Sequence, residues 1–429
     1  MEPDAPVTRR RPLLHGWRGL LILAGLGLAG IVVAIGVWFT SDGDLRRIER
    51  EMASAGLPTT WKALGVQRTD AERLRIYERL AALAKMVKPW KPKTGDSTLS
   101  PGIPFPPELK TWHDQLAGAE LNELLRLIDG LPAERPFLID DFSLSRRAPW
   151  MSAWNDLARL YCQRVVLAAD LEVSKEARRL LHLLNIVPRL PTYLGLMGDQ
   201  SHLLTAIKHL ALRLPLLRGD VGVADAIDSI IRNVEARREQ NDVGALLSFV
   251  DECRGMQRDP SFVGGTFSHT NVNYLLARER GLRKQLAWIL QSQAYQPGFE
   301  RFALAKRLSS TPPPPTLFGL NQSIGLDPAF FEQPALKARW AALVLAAEIR
   351  GGPWPVDPCD STGATLRRLK RDGQLIGAYS VGRNETDDHG ERGDEAFALY
   401  GPLKAPATVS VRPETATAAP SCAPSSATP

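Results

Sequence analysis

Six carboxylates, Glu385, Asp387, Asp388, Glu391, Asp394 and Glu395, fall within eleven residues of the stretch YSVGRNETDDHGERGDEAF (379–397). So dense a set of acids repels itself. A compact loop here needs either solvent around each charge or a divalent cation among them, and an all-oxygen ligand set suits calcium, whose geometry is tolerant. An EF-hand frame starting at Asn384 places Glu395 at its twelfth position but His389 where the invariant glycine belongs. Strand-like sequence flanks it where helices are required, so the EF-hand reading fails on both counts.

Other residues with chemical potential are scattered along the chain. His202 and His209 stand seven residues apart on one predicted helix face. They lack the i to i+4 spacing and the H-E-x-x-H glutamate of a helical metal site. Asp140 and Asp141, shortly before Arg146 and Arg147, offer paired acids for hydrolysis, although a helix-start cluster with local ion pairs accounts for the same residues. Trp150 and Trp154, one turn apart, fit a ligand groove or a core, and helical spacing favours the core. No G-x-S-x-G, P-loop or dinucleotide fingerprint occurs in the sequence. Cys162, Cys253, Cys359 and Cys422 are far apart and form no C-x-x-C pair, so spacing specifies neither zinc nor a disulfide framework.

The elements that must position these residues are mostly helical. Thr69 and Glu72 form a capping box before Leu74, Tyr77, Leu80, Leu83 and Ala84, which share one helix face. The proline-rich segment 88–107 reads as an extended linker. From 108 to 350 three apolar stripes repeat the same offsets: Val173, Ala177, Leu180, Leu181, Leu184; Leu203, Ile207, Leu210, Ala211, Leu214; and Val223, Ile227, Ile230, Ile231, Val234. Asp220 and Asp242 are placed to cap the helices that follow them, and Pro188, Pro191 and Pro215 sit near helix ends. No solenoid period recurs, so the expectation is an irregular helical bundle ending in a helix over about 328–350. After it, Asp372-Gly373 between TLRRLKR (365–371) and LIGAYSV (375–381) predicts a hairpin, with Phe397 to Tyr400 as a returning strand. The acidic loop would therefore hang from a small antiparallel sheet.

The strongest single signal lies at the other end. Gly19 to Phe39 is a 21-residue run without a charged side chain. As a helix it would be about 30 Å long, the thickness of a bilayer's hydrocarbon core. Trp17 and Trp38 bracket it, and Arg9, Arg10, Arg11 and Arg18 precede it, so the N-terminus is expected inside and the bulk of the chain outside. The run exceeds the usual h-region and no A-x-A cleavage pattern follows, which favours a retained anchor over a signal peptide. A net charge of +6 over 429 residues, with acids and bases interleaved along helices, is a solvated mixed surface and argues against nucleic acid as a partner.

The stretch from the last helix through P-V-D-P (355–358), Gly363, Leu366, Asp372-Gly373, Y-S-V-G (379–382), Asn384, Asp387-Asp388 and Asp394 resembles the C-terminal part of the major pseudopilins of type II secretion. Similar tails also close membrane-anchored helical proteins of unassigned role, which this chain matches more closely in overall plan. The resemblance implies a calcium-binding loop, with Asn384, Asp388 and Asp394 as side-chain ligands and Val381 as a carbonyl ligand. His389, Cys359 and the uncharged Asn384 depart from the family pattern, and the apolar run lacks the glutamate of a prepilin leader.

The expected organisation is a cytoplasmic basic segment (1–18), a transmembrane helix (19–39), membrane-proximal helices (40–87), the linker (88–107), a helical domain (108–350), a pseudopilin-like β tail (351–404) and a disordered Ala/Pro/Ser/Thr-rich end (405–429). The fold class is mainly α with a small C-terminal antiparallel β element. The function expected is a scaffold or binding protein of the inner membrane, with the lipid bilayer and another envelope protein as partners. The alternatives are a component of a secretion or pilus-like assembly, and a hydrolase using Asp140 or Asp141.

Overall fold

A computed structural model describes residues 21–22, 24–32, 43–66, 71–87, 107–115, 118–132, 150–186, 193–258, 272–295, 298–310, 328–371, 374–382 and 395–398. These residues form a mainly helical structure with one small antiparallel sheet. In chain order come α1 (Gly43–Ser54), α2 (Ala71–Val87), α3 (Pro107–Gln115), α4 (Ala119–Gly130), α5 (Trp150–Leu167), α6 (Val173–Ile186), α7 (Tyr193–Leu212) and the short α8 (Leu214–Leu217). Then follow α9 (Val221–Ala236), α10 (Arg238–Arg258), α11 (Val272–Ser292), α12 (Phe299–Ser310) and α13 (Pro328–Arg350).

The apolar stripes are what the helices bury. All five stripe residues of α6, and Leu203, Ile207, Leu210 and Ala211 of α7, lie in the core. The fifth member of the second stripe, Leu214, is buried too, but it opens α8 after a turn at Arg213. Pro215 explains the break: proline has no N–H to continue the α7 ladder, and it is tolerated in a first turn. Pro107 likewise begins α3, so the helix starts one residue inside the expected linker, and 88–106 lie outside the described residues.

One large core joins α2, α4, α5, α6, α7, α8, α9, α13 and Phe302 of α12, and Trp354, Leu366 and Ala378 of the C-terminal segment belong to it. A second core gathers α1, α10, α11 and α12, centred on Leu45, Ile48, Leu246, Leu286 and Trp288. Trp154 lies in the first core, edge-on to Tyr77 at 5.7 Å, and the Tyr77 hydroxyl donates to the Ile186 carbonyl at 3.0 Å. Trp154 is therefore a packing residue, as its spacing predicted.

Asp220 caps α9 as expected, its side chain accepting from the Val223 N–H at 3.1 Å. Asp242 does not cap. It lies inside α10, and its buried carboxylate meets an arginine from another helix. Thr69 of the capping box lies outside the described residues, while Tyr77, Leu80, Leu83 and Ala84 of the stripe that follows it are buried.

At its C-terminal end α13 closes with a Schellman arrangement: Gly352 N–H donates to Ala347 O at 3.0 Å and Gly351 N–H to Glu348 O at 3.3 Å, with Gly351 at φ 69°. The chain then turns into β1 (Arg367–Arg371), β2 (Gln374–Ser380) and β3 (Glu395–Ala398), ordered β1-β2-β3 and antiparallel throughout. The β1–β2 pairing closes on Arg371 and Gln374, the residues flanking Asp372-Gly373, as the predicted hairpin requires. A register shift between Leu369 and Lys370 puts one extra residue on β2. Because β2 is central, Ala378 and Tyr379, adjacent and so on opposite faces, are both buried.

Among the described residues no helix is long and apolar enough to cross a membrane. The run Gly19–Phe39 falls among them only in part. Residues 21–22 and 24–32 are helical, and their large apolar side chains, Leu21, Ile22, Leu26, Leu28, Ile31 and Val32, are 56–66% exposed.

Candidate functional site

The tail is built around Asp357. Its side chain is 1% exposed, and its carboxylate accepts from the Cys359 N–H at 2.9 Å, the Ser380 hydroxyl at 2.6 Å and the Val381 N–H at 3.0 Å, with Arg367 Nη1 at 3.8 Å. A buried carboxylate is tolerated only when hydrogen-bonded and charge-compensated, and Asp357 is both. The effect is to join the P-V-D-P segment to Y-S-V-G at the end of β2. Of the four calcium ligands implied by the resemblance, Val381 is thus placed: its side chain is buried and its N–H is committed to Asp357. Asn384, Asp388 and Asp394 lie outside the described residues, as do Asp140, Asp141, Arg146 and Arg147. No group of three or more metal-capable side chains occurs among the described residues.

The two histidines part company on α7. Seven residues of helix separate them by roughly 10 Å along the axis, too far for one ion. His202 Nε2 pairs with the Asn155 carboxamide. His209 Nδ1 donates to the Thr205 carbonyl at 2.7 Å, and burial, with Lys208 and Arg159 nearby, holds its pKa below the ordinary histidine value. Cys162, Cys253 and Cys359 are buried, and no two of them form a disulfide with each other. Burial pushes Cys162 up to about 12, so it stays protonated and is a poor nucleophile.

A polar cluster that sequence patterns did not reveal lies where α10, α11, α12 and α13 meet. Arg301 of α12 reaches Asp242 of α10 through Nη2 and Glu332 of α13 through Nε at 3.4 Å, and its guanidinium sits 4.9 Å from the centre of the Trp288 ring. Arg238, also of α10, completes the network on Glu332. All four charged residues are buried. Burial pushes the Asp242 carboxyl above the usual range; Arg301 and Arg238 oppose the shift without cancelling it. Two carboxylates bridged by guanidinium groups are charge-matched partners.

Beside this cluster is a small cleft of ≈ 30 Å³ between α7, α9, α13 and the start of α10. Leu203, Ile231, Val234, Ala335 and Ala338 supply apolar walls, and Gln200 is its most unusual lining residue. That side chain is 4% exposed, yet neither amide atom has a hydrogen-bond partner among the described residues. A buried polar group without a partner costs about 1–3 kcal/mol, so its presence in a cavity wall requires a reason. The sequence did carry one local hint, the run R-E-Q-N-D (238–242) opening a helix whose next residues, from Val243 onward, are apolar. Nothing local pointed to Gln200 or Arg301.

No protein-family model, no curated protein and no solved structure matches this chain.

Proposed function

We propose that the chain is a single-pass, membrane-anchored envelope protein, with its bulk outside the cytoplasm, acting as a non-catalytic scaffold or binding protein. The observation that carries this reading is the N-terminal helical stretch. Leu21, Ile22, Leu26, Leu28, Ile31 and Val32 belong to neither core and remain more than half exposed, in a chain that buries its other apolar stripes. A continuous apolar helix face left open to water is costly, and a bilayer is the environment that removes the cost. The arginines before the run support the orientation, and the flanking tryptophans support the span itself.

A second reading, a component of a secretion or pilus-like assembly, is favoured by Asp357. It ties together the P-V-D-P and Y-S-V-G segments on which the pseudopilin resemblance rests. On this reading the loop after Val381 takes calcium through Asn384, Asp388 and Asp394.

The anchor reading is tested by fractionation. The full-length chain should stay with membranes after an alkaline wash, and a version lacking residues 1–39 should be released while unfolding at the same temperature. Release of the full-length chain, or co-sedimentation of the truncated one, would remove the anchor from the account.

A further inference from the structure

We propose that the cleft between α7, α9, α10 and α13 is a binding site for a group that presents a hydrogen-bond donor and an acceptor on one edge, a primary carboxamide. Gln200 is the reader. Its Nε2 donates and its Oε1 accepts, both atoms are buried and both lack a partner among the described residues. The inference is insensitive to which of the two atoms is nitrogen, because the pair is self-complementary after a flip.

The charged lining groups narrow the ligand further. Arg339 is paired with Glu235, and Arg238 with Glu332, and Asp199, the remaining charged lining residue, also has a partner within the protein. The neutral lining side chain with neither polar atom hydrogen-bonded is the Gln200 amide, and the walls beside it are Leu203, Ile231, Val234, Ala335 and Ala338. Such a site suits a small, neutral, planar group better than an anion. A carboxylate only accepts, so it would leave Nε2 paired and Oε1 facing a like charge. A trans peptide carries its N–H and C=O on opposite edges and would satisfy one Gln200 atom at a time. A primary carboxamide satisfies both in one cyclic pair. A cleft of ≈ 30 Å³ has room for about two waters, at roughly 10–15 Å³ each, or for one such headgroup.

The same chemistry could come from a free small carboxamide or from an asparagine or glutamine side chain of a partner protein. The inference deepens the binding half of the proposed function and is independent of the anchor: its failure would leave membrane association untouched, and a soluble chain would leave the cleft untouched.

The test is saturation-transfer NMR on the full-length chain in detergent micelles, with acetamide, its isostere acetone, N-methylacetamide and blocked asparagine as probes. Acetamide should give a saturable signal in the millimolar range. Acetone, which lacks the donor, and N-methylacetamide, in which donor and acceptor lie on opposite edges, should bind at least tenfold more weakly. Blocked asparagine competing with acetamide assigns the site to a partner's side chain, and acetamide alone assigns it to a free small molecule; both outcomes support the site. Gln200→Met, close in volume but without the amide, should abolish the acetamide signal while keeping or raising the unfolding temperature. Should that variant fail to fold, Ala335→Leu, which fills the cleft and leaves Gln200 intact, should abolish the signal instead. Equal binding of acetamide and acetone, an undiminished signal in the folded variants, or no saturable acetamide signal would overturn the proposal and leave the cleft as a site for water.

Discussion

Asp357 concentrates more hydrogen bonds on one buried side chain than any local pattern implied. Its partners Ser380 and Val381 are 23 and 24 residues away. Both segments were conspicuous in the sequence, yet their contact was not legible, because spacing describes a helix or a strand and says nothing about which loop a carboxylate reaches. Replacing Asp357 with alanine strands two N–H donors and a hydroxyl in a buried place. The expected loss is about 3 kcal/mol or more, read as a lower urea midpoint, with Asp357→Asn intermediate because it keeps one acceptor. Wild-type stability in Asp357→Ala would show that the tail does not depend on this centre. His209 gives a second expectation. Its folded pKa lies below the ordinary value near 6.5, so the unfolded chain binds the proton more readily between those two values. Stability is therefore unaffected well above pH about 6.5 and is lost as the pH falls below it towards the folded pKa. Comparing wild type with His209→Gln by denaturant titration from pH 7.5 to 5 should show a shallower slope in the variant, and parallel curves would refute the assignment.

Elements were more legible than residues. The stripe offsets and the position of the last helix follow from a 3.6-residue period that packing enforces on any amphipathic helix, and Asp-Gly marked the hairpin for steric reasons. What period alone could not give is how the tail attaches. Glu348, near the end of α13, accepts from the Trp354 indole at 2.7 Å and faces Arg368 at 3.7 Å, and Arg368 in turn stacks 5.1 Å from the Trp354 ring centre. Trp354, Leu366 and Ala378 then share the larger core with α13. Glu348→Ala should leave the helical region folded by circular dichroism while making the segment after residue 350 the first site of limited proteolysis. Unchanged cleavage would mean that the apolar contacts hold the sheet without the glutamate. The acidic loop leaves this same sheet, so calcium is best tested in the intact chain. Millimolar calcium should raise the unfolding temperature of wild type relative to chelator, and Asp394→Ala should remove the rise, because a ligand that binds only the folded state stabilises it by mass action. Identical midpoints in all four samples would leave the loop as a solvated acidic turn.

At the scale of the whole molecule, two apolar cores share α12, which sends Phe302 to one and Leu304 and Ala305 to the other. Its neighbour Arg301 joins α10 to α13 through acids 59 and 31 residues distant. Such a network escapes sequence reading because its members are ordinary charged residues until the fold removes them from water, where pairing becomes obligatory. The larger architecture, an apolar N-terminal run followed by a helical body and a small β tail, was readable because length and hydrophobicity are properties of segments and need no tertiary contact. The central claim is that this run spans a membrane with the body outside the cytoplasm. Protease added to spheroplasts tests it most directly. The account predicts that the body is digested from outside while the N-terminal fragment stays in the membrane pellet, whereas a body protected until the membrane is lysed would contradict it.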